Sequence, residues 1–377
     1  MKLDYIDSMR GVAILLVVLV HTEQSISFIL ARNNAGEISW LAHTLAFYGQ
    51  MGVQLFFVVS AFTLCLSWSR RNAEQRKVLC FFIRRLFRIA PQYYFGILLY
   101  FLVKIFENFI KTNRFMMPEQ HIVSNLVTNV LFIHDFHPAG NVSIVPGGWS
   151  IATEMSFYCI FPFLFIGLSK IAAFSERWLF IAVLVLVASN FLLLTAHESL
   201  YGIRLGNNNF VYYSFSNQFP VFLLGMLWFF QQQKKQLRAR PGWLCLLFFV
   251  ILTLAAMLLM ATQWPYSFHL VPMLSGLSFI FLLRLFAQQS WLNFRGIIKA
   301  GRLSFSMYIF HFLFAYQVAG KVSEQIVHFL NPDLLLLFAF ILALALTMLA
   351  SLVTERYIER PGIRVGRSLI VRLGSAS

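Results

Sequence analysis

A histidine inside an apolar run is the strongest chemical signal in this chain. In RGVAILLVVLVHTEQSISFIL, His21 follows Arg10 by a helical rise of roughly 16 Å and about three turns, so both side chains share one face. The guanidinium is expected at a membrane edge and the imidazole near mid-bilayer. An ionisable group at that depth is costly and reads by default as functional. A second histidine, His311 in GRLSFSMYIFHF, lies about 13 Å along the helix from Arg302, with Tyr308 on the same face. It is either a direct participant or a core residue bonded to a neighbouring helix.

The segment PGGWSIATEMSFY runs a Gly-Gly turn into a helix and places Ser150, Glu154 and Tyr158 at intervals of four, one polar stripe behind Trp149. Glu154 is expected to face a substrate. The plainer reading is a charge favoured by the helix dipole near an N-terminus. In FFIRRLFRIAPQYY, Arg84, Arg85 and Arg88 precede Pro91, and the i, i+3 spacing of Arg85 and Arg88 lets two planar forks grip adjacent phosphates. A basic anchor at a membrane boundary would have the same spacing. His134 and His137 in HDFH lack a matched second pair, and no metal is expected. The chain has no Gly-rich phosphate loop, GxSxG elbow, HExxH or CxxC pair.

The elements that must position these groups are membrane spans. The 377 residues are 59% hydrophobic and 12% charged, with a mean hydropathy of +0.72, outside the range of soluble globular proteins. We read an all-α polytopic membrane protein, a bundle of about ten transmembrane helices near 11–30, 47–67, 93–110, 150–169, 178–196, 211–230, 242–262, 266–286, 303–320 and 334–354. The run at 122–133 is too short to span and reads as interfacial or re-entrant. The first span carries a histidine and lacks a suitable cleavage site, so it reads as a retained helix.

With both termini cytoplasmic, the Lys and Arg residues fall on the cytoplasmic side except Arg32, Lys111, Arg114, Arg204 and Lys321, with Lys104 inside the third span. Topology and membrane lipids thus account for the net charge of +15, and no nucleic acid partner is implied. The four cysteines have no metal or disulfide pattern. The chain divides into a transmembrane domain at 1–360 and a basic cytoplasmic tail at 361–377. The sequence carries no signal for oligomeric state.

Six segments, in order, resemble the acyltransferase-3 family of integral membrane acyltransferases, which includes bacterial O-antigen and exopolysaccharide O-acetyltransferases. They are DSMRGVAILLVVLVH, GVQLFFVVSAFTL, FFIRRLFRIAP, GGWSIATEMSFY, LSFSMYIFHF and YIERP. One departure is Ala61, where the family commonly has glycine. The resemblance implies an enzyme of the bacterial inner membrane that moves an acyl group from cytoplasmic acyl-CoA, usually acetyl-CoA, to a hydroxyl of an extracytoplasmic saccharide. The donor is a co-substrate; no tightly bound cofactor is implied.

On that resemblance His21 is the catalytic base, and Glu154 and His311 complete the catalytic set. Arg10, Arg84, Arg85 and Arg88 hold the CoA, and Trp149, Ser150, Tyr158 and Tyr308 line the substrate site. Burial favours neutral imidazole, which suits a base, and Tyr308 could stabilise an oxyanion. The competing reading is a transporter or flippase of a sugar or lipid-linked glycan, since buried His and Glu also suit proton relays.

Overall fold

The computed structural model describes residues 3–114, 123–137, 140–201, 209–233, 241–262, 264 and 266–375. The cations Lys2, Arg204, Lys234, Lys235, Arg238 and Arg240, which enter the charge asymmetry, lie outside the described residues. Among the described residues the regular structure is helical. Nine segments are long and apolar enough to cross a membrane: Asp4–Asn33, Trp40–Ser69, Lys77–Thr112, Trp149–Phe174, Glu176–Ala196, Gly242–Ala261, Ser267–Gln288, Arg295–Gln325 and Pro332–Leu373.

The expected span at 211–230 is the exception. It forms a short helix, Asn209–Tyr213, followed by Phe215–Gln233, whose side chains are mostly buried in the protein. Asn217 and Gln218 there donate to the Tyr212 carbonyl at 3.0 and 2.7 Å. A helix with protein around it does not need the uniform apolarity of a lipid-facing one. The weak apolar run at 122–133 is an eight-residue helix, Val123–Val130, too short to span.

The chain forms two compact units, Met1–Phe56 with Phe286–Gly362, and Phe57–Leu285 with Ile363–Ser377. In the first, α1 (Asp4–Asn33) packs on α12 (Arg295–Phe312), α14 (Pro332–Thr354) and the short α2 (Trp40–Tyr48). The close approach of α1 and α12 rests on two glycines. A Cβ on Gly301 would lie 1.7 Å from the Asp7 carbonyl oxygen, and one on Gly11 would lie 2.2 Å from that of Ile297. Backbones in such contact gain dispersion energy that lipid cannot supply, the usual basis of helix association in membranes. At one end of the pair, Arg302 donates to Asp7 at 2.9 Å and Asp4 at 3.4 Å.

The helix boundaries follow local chemistry. The Asn331 side chain caps α14 by accepting from the Leu334 N–H at 2.8 Å, with Pro332 in the first turn. Beyond α12 the chain is π-helical over Leu313–Ala319, and again over Glu355–Glu359 after α14, overlapping the start of the YIERP motif. Glu359 there is buried and accepts from Ser306 of α12 at 3.2 Å.

In the second unit, α4 (Lys77–Thr112) carries the arginine-rich segment and continues through Pro91. The next long helix, α6 (Trp149–Phe174), begins after a turn in which Gly147 has φ +75°. That left-handed conformation is open to glycine at little cost.

Gly301→Ala is expected to lower the stability of the detergent-solubilised protein by about 3 kcal/mol, because the new methyl forces the helices apart. Gly167→Ala, where a Cβ meets nothing within 4 Å, is the control and should leave thermal unfolding unchanged or slightly raised.

Candidate active site

The sequence-predicted residues fall into two polar clusters, one in each unit. In the first unit α1 and α12 bring His21 and His311 together, with ring centroids 5.1 Å apart. Phe312 packs on His21 at 4.1 Å, and Tyr308 lies 5.2 Å from the His311 ring. His311 is fully buried, whereas His21 is half-buried.

Hydrogen-bond partners fix the imidazole tautomers. His311 Nδ1 is 2.6 Å from the Tyr308 carbonyl, which can only accept, so Nδ1 carries the proton. Its Nε2 is buried and without a hydrogen-bond partner. His21 Nδ1 is 3.0 Å from Gln24 Oε1, an oxygen that also accepts from the Tyr316 hydroxyl at 2.9 Å. His21 therefore donates through Nδ1 as well. In the neutral form each ring keeps an Nε2 lone pair, as a general base requires. Tyr316 enters from the π-helical segment just after α12, a backbone form often found at functional sites. Arg10 lies near the start of the same α1 and is half-buried.

In the second unit, the stripe expected on α6 is present. Tyr158 donates to Glu154 Oε1 at 2.6 Å, and the Ser60 hydroxyl donates to the same oxygen. The Arg85 guanidinium lies 5.7 Å from the ring centroids of both Phe81 and Tyr158. Glu154 is thus one member of a carboxylate, phenol and guanidinium cluster. Arg84 is held apart from it: its two terminal nitrogens donate to both oxygens of Glu74, at 2.5 and 2.8 Å. Arg88 is half-buried. Trp149 is buried and stacks on Tyr213 at 4.6 Å, and the Ser150 hydroxyl donates to the Gly147 carbonyl at 3.1 Å.

The segment before α6 locks its first turns. Asp135 is buried and accepts from Thr153 at 3.0 Å and from the Phe215 N–H at 2.8 Å. Burial pushes its carboxyl up to about 6 against these two bonds, which act in the other direction. His134 Nε2 donates to the Gly148 carbonyl at 3.0 Å, and burial lowers its basicity. His137 Nδ1 accepts from the Gly140 N–H at 2.9 Å. Among the described residues no group of three His, Cys, Asp or Glu could hold a metal, and all four cysteines are free.

Sequence reasoning missed Gln24, Tyr316 and Ser60. Gln24 had a signal, being one turn from His21 in an apolar helix. Ser60 had none, since its partner is far away in the chain.

The acyltransferase domain model of the acyltransferase-3 family matches residues 3–356, and the chain belongs to that family. It is 24% identical over 368 residues to a protein of Staphylococcus aureus strain COL whose name places it provisionally among the O-acetyltransferases; the match covers 90% of this chain and 56% of the relative. Counterparts with the same provisional naming in strains MSSA476 and MRSA252 are 24% identical over 361 residues, 89% of this chain and 55% of theirs. The chain therefore spans a little over half the length of these relatives. No solved structure matches it.

The folded Asp135 carboxyl binds its proton more tightly than an unfolded one with the ordinary value of 3.8. This group's contribution to stability is thus greatest below about pH 4 and declines as pH rises through about 6, by roughly 3 kcal/mol. Asp135→Asn should flatten that decline in unfolding temperatures measured across the interval. An unchanged slope would assign the decline to other groups.

Proposed function

We propose that the protein is a membrane-embedded O-acyltransferase of the bacterial inner membrane, moving an acetyl group from cytoplasmic acetyl-CoA to a hydroxyl of an extracytoplasmic saccharide. The observation that carries this reading is the His21 and His311 pair, each with its Nδ1 proton engaged and its Nε2 lone pair left to accept a proton. His21 is the more exposed of the two rings and is the base.

In the reaction His21 Nε2 takes the acceptor hydroxyl proton as the oxygen attacks the thioester carbonyl. The tetrahedral carbon then collapses, the C–S bond breaks, and the departing thiolate of CoA takes the proton from His21. His311 lies close enough to sense the imidazolium formed on the way. Tyr308, packed on His311, is assigned to the oxyanion. Glu154 orients the acceptor with Tyr158, Ser150 and Trp149. Arg10, Arg85 and Arg88 hold the CoA phosphates; Arg84, already paired with Glu74, contributes less. Both termini lie on the donor side in this scheme.

Purified protein is to be incubated with acetyl-labelled CoA and envelope saccharides. Label on a saccharide oxygen, released by mild base, is the expected result. Saccharide movement across vesicles without labelling would overturn the reading in favour of a transporter. Arg88→Ala should raise KM for acetyl-CoA about tenfold or more, the loss of a charge-assisted hydrogen bond, with acceptor KM unchanged. Equal effects on both substrates would contradict a phosphate role.

A further inference from the structure

One buried carboxylate in the first unit has no part in that reaction. Glu23, on α1 two residues beyond His21, is 2% exposed. The Ser27 hydroxyl donates to its Oε1 at 2.6 Å, and His43 Nδ1 of α2 lies 2.8 Å from the same oxygen. A carboxylate can only accept, so the imidazole proton at Nδ1 is held there and His43 Nε2 is left to a ligand. The His43 side chain is 52% exposed. It lines a cavity of about 680 Å³ together with Ser27, Asn34, Glu37 and Trp40. This is within the size range of small-ligand sites.

The lining has a definite chemistry. Trp40 is 78% exposed and offers a broad indole face beside the cavity. An amide, a carboxylate and an imidazole stand with it, groups that together donate to and accept from neighbouring hydroxyls. Glu23 and Glu37 oppose an anion such as phosphate. An apolar chain would leave Asn34, Glu37 and His43 without exchange for their water. A pyranose fits both requirements, since its C–H face lies against an aromatic ring and its rim of hydroxyls bridges polar groups. We propose that this cavity is a saccharide-binding site, in which His43, oriented by Glu23, and Trp40 engage the acceptor. The inference rests on the acyl transfer reading for the identity of its ligand as acceptor, and on the cavity alone for its class. Glu23 acts through His43 and is a positioning residue.

The test is fluorescence of the full-length protein in lipid nanodiscs, without acyl donor, titrated with the methyl glycosides of glucose, galactose, mannose, rhamnose and N-acetylglucosamine. At least one glycoside should give a saturable change that is lost in Trp40→Phe and shifted about tenfold to higher concentration in His43→Ala, the loss of one hydrogen bond. No change with any glycoside, or the same change in Trp40→Phe, would overturn the proposal. Acyl transfer is then measured on the same variants. A normal acceptor KM in Trp40→Ala and His43→Ala, with transfer intact, removes this site and leaves the reaction standing. Saturable binding at Trp40 in a protein that never labels a saccharide removes the reaction and leaves the site standing.

Discussion

Within the hydrocarbon core of a bilayer a polar side chain has no water to turn to, so each one must be matched inside the protein or carry a cost of several kcal/mol. Several polar groups of this chain's spanning helices are matched in this way. His21 leans on Gln24 and His311 on its own helix carbonyl. Glu154 is met by Ser60 and Tyr158, and Glu23 by Ser27 and His43. The same matching that makes these groups tolerable also fixes their protonation geometry. With both Nδ1 atoms engaged, each ring of the histidine pair in its neutral form carries its lone pair on Nε2.

The scaffold around the histidine pair is built for close approach. Gly11 and Gly301 let the α1 and α12 backbones touch, and Arg302, next to Gly301 in the middle of α12, donates to the two acids of the first turn of α1. The YIERP glutamate, Glu359, accepts from Ser306, one turn and a half before His311. Three motifs far apart in the chain, DSMRGVAILLVVLVH, LSFSMYIFHF and YIERP, therefore meet in one unit.

Much of this was legible in the sequence where the information is periodic. The helix through Arg10 and His21, the stripe of Ser150, Glu154 and Tyr158, and the Tyr308 and His311 pair follow from the helical repeat alone. Nine of the ten expected spans are helices long and apolar enough to cross a membrane; Phe215–Gln233 is helical and mostly buried but less apolar, with Asn217, Gln218 and three terminal glutamines. Contacts between distant segments left no periodic trace. Ser60 with Glu154, His43 with Glu23 and Tyr316 with Gln24 depend on how helices pack. The π-helical turns after α12 and α14 are likewise tertiary choices that residue propensities do not encode.

If His21 and His311 act as one proton-handling unit, a double-mutant cycle on acyl transfer will reveal their coupling. Single-turnover rates would be compared for His21→Ala, His311→Ala and the double variant, each with folded protein quantified. A loss of about a hundredfold or more is expected for His21→Ala, and a double variant no slower than the slower single. A wild-type rate in His21→Ala, or losses that multiply in the double variant, would contradict it.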